Sequence, residues 1–529
     1  QDPPRMRKGL GIAAVATQAL ALVLVFCVGN FGRAYTDQYS FQTAVTDFGL
    51  ITGMRKEVQA VLFGSGSKVS FNTDADTQAA EPQHIDYAPN VLDIDFEALA
   101  KDADGTWAEL DAYVAGLTPS LQNEMTGKFE GFNLIFVSAE ALSAEAIRED
   151  TTPTLWRMAN EGIQFTDYYQ FDSAGTTGGE CNNIFGLLPT EGGSSVKMTA
   201  DHNNYLTIGN ALNRLGYNGW AFHNNTYTFY GRDATHNNLG YNNGYIGYGS
   251  GMEEWVTWQW PQSDLEMVKG TFKDLYGSSE HEPFDVYYMS VSGHSDYDPG
   301  ENAMADKYWD EVADLPYSDR VKGYLACNID LDRAMEWLIR ALKKAGMAEN
   351  TLIVIGADHF PYGLDDDGPL GSLPYLSELY GYDVNTYFER DHNRLIMWSA
   401  CLEDEDPIVV DTPTFAVDIL PTLLNLFGCD WDSRLLPGRD VFSDKDPLVY
   451  NLSYHWRTTL GTYYANTGEF VANEGAEVPE DYVETINAEV ANRINYSRGV
   501  LTSDYFRHVF GDPEDVAAVH DAAAKELKR

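Results

Sequence analysis

NLIFVSAEALS, residues 133–143, is the stretch on which the fold turns. Its apolar run Leu134–Val137 has the length of a strand, and Glu140 follows directly. Short, fully apolar runs of this kind mark strands buried on both faces. Four more runs repeat the form: NGWAF at 218–222, DVYYMSV at 285–291, TLIVIG at 351–356 and RLIMWS at 394–399. Helical patterns lie between them, such as PTLWRMANEG (153–162) and DLDRAMEWLIRALKKAG (330–346), the second stopped by Gly346. Strands alternating with helices predict an α/β fold, a doubly wound and mainly parallel sheet with helices on both faces.

Polar residues placed on that map fall at strand ends. Glu140 follows the run at 133–138, His223 that at 218–222, His294 that at 285–291, and Asp358 with His359 that at 351–356. Carboxyl ends of strands are where open α/β sheets bind ligands. One His or Asp after a strand is more often a turn former; four strands delivering such groups predict a site. Glu140, Asp358 and His359 make a mixed oxygen and nitrogen set suited to Mn²⁺, Mg²⁺ or Zn²⁺. The segment DSAGTTGGECNNIFGLLP (172–189) adds glycines for close backbone approach and two hydroxyls, Thr176 and Thr177. A divalent ion activates such a hydroxyl as a nucleophile.

Composition narrows the partners. The 529 residues carry 80 acidic and 35 basic side chains, a formal charge of −45. That balance excludes nucleic acid, whose phosphates need Lys and Arg to displace counterions. The five cysteines are too few and too scattered for a disulfide framework. LGIAAVATQALALVLVFCVGNF (10–31) is uncharged and long enough to span a bilayer, and Arg5, Arg7 and Lys8 precede it. By the positive-inside rule the remainder lies outside the cell membrane; a cleaved signal peptide is the rival reading. The expected organisation is a basic flank and transmembrane helix (1–34), a helical juxtamembrane region and linker (35–130), a catalytic domain (131–446) and a small C-terminal α+β subdomain (447–529).

These motifs together resemble the lipoteichoic acid synthase group of the alkaline phosphatase/sulfatase superfamily, over roughly residues 132–442. NLIFVSAEALS resembles the family strand whose terminal Glu binds metal, here Glu140. The family nucleophile loop carries a Thr, a Glu four positions on, then Gly-Leu-x-Pro. Thr176, Glu180 and Gly186-Leu187-Leu188-Pro189 keep that spacing, which favours Thr176 over Thr177. FHNNTYTFYGRD (222–233) is similar to the substrate segment, with His223, Tyr230 where the best-known members have Trp, and Arg232. YYMSVSGHSDYD supplies His294, and IGADHFPYG the metal pair Asp358 and His359.

The resemblance implies one divalent metal, Mn²⁺ foremost, held by Glu140, Thr176, Asp358 and His359. It implies Thr176 as nucleophile, Arg232 and His294 as catalytic partners, and His223, Tyr230, Arg232 and His294 as substrate contacts. The implied donor is phosphatidylglycerol; the acceptor is a glycerophosphate polymer or glycolipid. A phosphoethanolamine or other headgroup transferase and a phosphodiesterase are alternatives on the same machinery. An inactive surface scaffold is the alternative of another class. A sulfatase activity is excluded, because no Cys/Ser-x-Pro-x-Arg precursor of formylglycine occurs.

Overall fold

The computed structural model describes residues 87–171, 175–190, 195–365 and 368–513, with Arg55 and Phe71 singly. The expected transmembrane helix lies outside the described residues. Among the described residues no helix is long and apolar enough to cross a membrane. Two compact units emerge, one within 69–449 and 492–529, the other including 450–491.

The larger unit is built on eleven strands: β1 (Asn133–Ala139), β2 (Ile163–Phe165), β3 (Tyr168–Tyr169), β4 (Asn218–Thr226), β5 (Tyr245–Tyr248), β6 (Phe284–Met289), β7 (Thr351–Ala357), β8 (His392–Asn393), β9 (Ile396–Trp398), β10 (Val409–Val410) and β11 (Thr414–Phe415). Eight form one sheet in the order β10-β2-β9-β7-β1-β6-β4-β5, and β11-β3-β8 form a second, small one. β7, β1, β6, β4 and β5 are parallel. β9 alone runs against both of its neighbours, which makes the large sheet mixed. The α/β reading therefore holds, with one reversed strand.

Strand pleating sorts the core into two layers. Ile135 and Val137 of β1, Val286 and Tyr288 of β6, and Ile353 and Ile355 of β7 join one buried cluster. Leu134 and Phe136, Tyr287 and Met289, and Leu352 and Val354 join the other. Helices Pro153–Glu161, Asp264–Thr271 and Asp319–Ala345 fill the first layer. Ile208–Arg214 and Ile419–Leu426 fill the second. The long helix starts at Ser318, whose side chain accepts the Val321 amide, and stops at Gly346 in the left-handed conformation, φ 76°. In the smaller unit Trp456–Thr458, Gly461–Tyr464 and Glu469–Ala472 form an antiparallel meander.

One buried charge stands out away from the site. Asp285 on β6 is buried, and neither carboxylate oxygen has a hydrogen-bond partner among the described residues. Burial pushes its pKa up to about 8. The folded chain then keeps a proton that the unfolded chain loses near pH 4, so unfolding releases a proton and stability falls as pH rises between those values. Asp285→Asn should raise the melting temperature at pH 8 and leave it nearly unchanged at pH 4; thermal melts of both proteins at both pH values check this.

Candidate active site

The site forms at the carboxyl edge of the two central strands. β1 and β7 pair in parallel with Ala139 opposite Ala357, so Glu140 and Asp358 leave adjacent strand ends side by side. The Asp358 amide donates to the Ala139 carbonyl at 3.2 Å. The Glu140 amide donates to Ser290 Oγ at 2.9 Å. Ala141 takes a left-handed backbone, φ 52°, and its amide donates to Asp358 Oδ1 at 2.9 Å. Such a conformation costs a non-glycine residue roughly 1–3 kcal/mol, an expense typical of functional sites.

His359 completes the cluster. Its Nδ1 lies 2.8 Å from the Phe360 carbonyl, which fixes Nδ1 as the donor and turns Nε2 inward. His359 Nε2 is 3.4 Å from Glu140 Oε1 and 3.4 Å from Asp358 Oδ2. One ligand atom from each of the three residues lies within 4.8 Å of the others, and all three residues are buried. Thr176 Oγ1 stands 3.5 Å from the same His359 Nε2. It is carried by a short helix, Gly175–Glu180.

Two glycines let these segments touch. A Cβ on Gly179 would fall 2.2 Å from the Asp358 carbonyl oxygen, and one on Gly293 would fall 2.2 Å from that of Glu140. The helix bearing Thr176 and the loop bearing His294 thus press directly on the backbone of the acidic pair.

The donor set fits a divalent cation. Asp358 Oδ1 accepts two backbone amides, from Ala141 and His359, while Oδ2 is buried, has His359 Nε2 at 3.4 Å and accepts no hydrogen bond from the described residues. Burial and the neighbouring Glu140 charge push the Asp358 carboxyl up to about 7. Burial also opposes ionisation of Glu140, but His359, with His294 and His223 behind it, holds that carboxyl below its ordinary value. At this spacing two carboxylates repel by on the order of 3 kcal/mol at an effective dielectric near 20. A cation among two carboxylates, an imidazole and a hydroxyl relieves that repulsion and occupies the orphaned oxygen.

The remaining expected site residues divide. His294 is half-buried, with Nδ1 2.7 Å from the Ser295 carbonyl and its ring packed edge-on to Trp260 at 4.7 Å. His223 does not follow its strand: β4 continues to Thr226 and places His223 inside it, opposite Met289 of β6. Its Nδ1 lies 3.0 Å from the Met289 carbonyl. Burial and then the Arg232 charge lower its pKa to about 3, so the ring is neutral. With Nδ1–H donated to the carbonyl, Nε2 is an acceptor. Tyr230 is exposed, in a left-handed turn with φ 56°, and its ring lies 5.4 Å from the Arg232 guanidinium. Arg232 itself is buried against Glu180. His236 is buried and bonds to the same carboxylate. The pattern offered one signal for this network, the Thr176 to Glu180 spacing of one helical turn.

Residues 133–429, more than half of the chain, match the family described as Sulfatase. The chain belongs to that family. In particular it is similar to lipoteichoic acid synthases. It is 24% identical over 396 residues to lipoteichoic acid synthase-like YvgJ of Bacillus subtilis (strain 168), covering 72% of this chain and 61% of that protein. It is 25% identical over 427 residues to lipoteichoic acid synthase 2 of the same organism, covering 77% and 63%. The lipoteichoic acid synthase of Staphylococcus aureus is 25% identical over 424 residues, covering 74% and 61%. The chain thus spans about three fifths of the length of these relatives. The crystal structure of lipoteichoic acid synthase LtaP from Listeria monocytogenes shares the fold with a TM-score of 0.60 and 19% identity, over 75% of this chain and 98% of that one. An alkaline phosphatase superfamily protein from Vibrio parahaemolyticus does so at 0.54 and 16%, over 76% and 96%.

Cation binding has a direct readout. Mn²⁺ should raise the melting temperature of the protein, and Asp358→Asn should abolish the rise. Gly179→Ala should shrink it by at least half, because the new methyl displaces the Asp358 backbone. An unchanged Mn²⁺ shift in Asp358→Asn would remove that residue from the cation site.

Proposed function

We propose that this chain is a membrane-anchored, extracytoplasmic transferase. It moves glycerophosphate from phosphatidylglycerol to a glycerophosphate polymer or glycolipid acceptor through a phospho-threonine at Thr176. The observation that carries the reading is the Thr176 hydroxyl 3.5 Å from His359 Nε2, beside a buried Asp358 oxygen that accepts no hydrogen bond from the described residues. The likeness to lipoteichoic acid synthases supports the donor and acceptor.

Glu140, Asp358, His359 and Thr176 would hold a divalent cation, Mn²⁺ first among Mn²⁺, Mg²⁺ and Zn²⁺, which would supply positive charge to favour the threonine alkoxide and offset phosphoryl charge. Thr176 Oγ attacks phosphorus, and the bond from phosphorus to the diacylglycerol oxygen breaks. His294 gives that oxygen its proton. Arg232 meets the phosphoryl oxygens. His223 Nε2, an acceptor in the neutral ring, takes a hydrogen bond from a glycerol hydroxyl of the headgroup. An acceptor hydroxyl then attacks the phospho-threonine, returns its proton to His294 and frees Thr176. The formal charge of −45 opposes an anionic lipid at long range, yet Arg232 and the site cation act within a few ångströms, well inside the Debye length of about 8 Å. A tether in the same bilayer raises the donor's effective concentration.

The test uses the chain in detergent micelles with Mn²⁺ and fluorescent phosphatidylglycerol. Diacylglycerol release should fall by at least about 10³-fold in Thr176→Ala. Full activity in that variant would overturn the nucleophile. Release from phosphatidylethanolamine instead would move the donor to the alternative headgroup.

A further inference from the structure

We propose that Glu180 is a positioning residue that aims the free fork of Arg232 at the phosphoryl group and ties it to the nucleophile. The inference rests on the transfer reading above and assigns a residue that takes no part in it.

Glu180 and Arg232 are both buried, with side-chain exposures of 0% and 2%. Glu180 gathers donors from three other residues. Oε2 accepts from Arg232 Nη2 at 2.8 Å and Nε at 3.1 Å. Oε1 lies 3.1 Å from Nε, 3.1 Å from the Tyr287 hydroxyl and 3.2 Å from His236 Nε2. Burial opposes its ionisation, but the Arg232 charge and the His236 bond carry its pKa well below the usual carboxylate range. Glu180 is therefore a charged, fully occupied acceptor.

The pairing is side-on. It uses Nε–H and one hydrogen of Nη2, and a guanidinium has five N–H groups. Among the described residues Nη1 has no hydrogen-bond partner. A guanidinium is planar, so holding one edge fixes the direction of the other. The free edge is the end-on fork, with the geometry for two phosphoryl oxygens. The Tyr230 ring, 5.4 Å away, packs beside the group.

The same carboxylate is joined to the nucleophile. Glu180 lies four residues after Thr176 on the helix Gly175–Glu180, one turn along the same face. Gly179 seats that turn against the Asp358 backbone, where a Cβ would lie 2.2 Å from the carbonyl oxygen. One short turn thus relates the attacking hydroxyl, the acidic pair and the phosphoryl clamp. A buried ion pair adds little stability over an apolar pair of the same volume, so fixing this geometry is the property that distinguishes it.

The experiment measures KM and kcat for diacylglycerol release from phosphatidylglycerol, with a melting curve for each variant. Glu180→Gln keeps the shape and removes the charge. It should raise KM and lower kcat, with a combined loss in kcat/KM of about 100-fold. In an Arg232→Ala background the same change should alter kcat/KM by less than about twofold, since Glu180 acts through Arg232. An equal loss in both backgrounds would overturn the inference, and so would parental kinetics in Glu180→Gln. Tyr287→Phe removes one hydroxyl that orients Glu180 and should raise KM about threefold. Should Glu180→Gln fail to fold, an unchanged KM in Tyr287→Phe overturns the inference. Thr176→Ala separates the two levels. If release does not depend on Thr176, the transfer reading fails; if it does and Glu180→Gln is silent, only the role of Glu180 fails.

Discussion

The repulsion between two carboxylates is the constraint around which this structure is arranged. β1 and β7 are hydrogen-bonded in parallel and in register, so their next residues, Glu140 and Asp358, have little freedom to separate. Both are buried. The surroundings answer locally: two backbone amides donate to Asp358 Oδ1, the Glu140 amide is held by Ser290 Oγ, and the His359 ring stands between the pair. One oxygen, Asp358 Oδ2, is left over. The left-handed turn at Ala141 and the glycine contacts at Gly179 and Gly293 are what such crowding requires.

The sheet explains why this edge carries the chemistry. Parallel strands deliver all their carboxyl ends to one side, and the two apolar layers beneath hold them rigid. Short helices then bring up the hydroxyl of Thr176 and the guanidinium of Arg232, and a loop the ring of His294. Charge is handled in two compartments. Glu140, Asp358 and His359 make an electron-rich pocket suited to a cation. Glu180, bonded by His236 and Tyr287, instead pairs with a cation already present, Arg232. The two compartments meet at one helical turn.

Much of this was legible in the sequence, for stated physical reasons. Apolar runs ending in Glu140 and Asp358 are short, continuous and flanked by helices, so both strand ends were readable. Their parallel pairing brought the expected acidic pair and imidazole together. The end of β4 was not readable. Its last residues, His223-Asn224-Asn225-Thr226, lack strand propensity, and pairing with β6 and β5 overrides it. The reversal of β9 leaves no mark on composition. The burial of Arg232 was hidden because its counter-charge lies 52 residues earlier, and a lone arginine in a polar loop is ordinarily solvated. His236 was hidden for the same reason.

The central claim is a covalent one, and peptide mass spectrometry addresses it most directly. The chain would be mixed with phosphatidylglycerol and Mn²⁺ in detergent, quenched in acid during turnover and digested. The account predicts a glycerophosphoryl group on the peptide carrying Thr176, absent when the cation is chelated. Turnover without that adduct, or with the adduct on another residue, would contradict it.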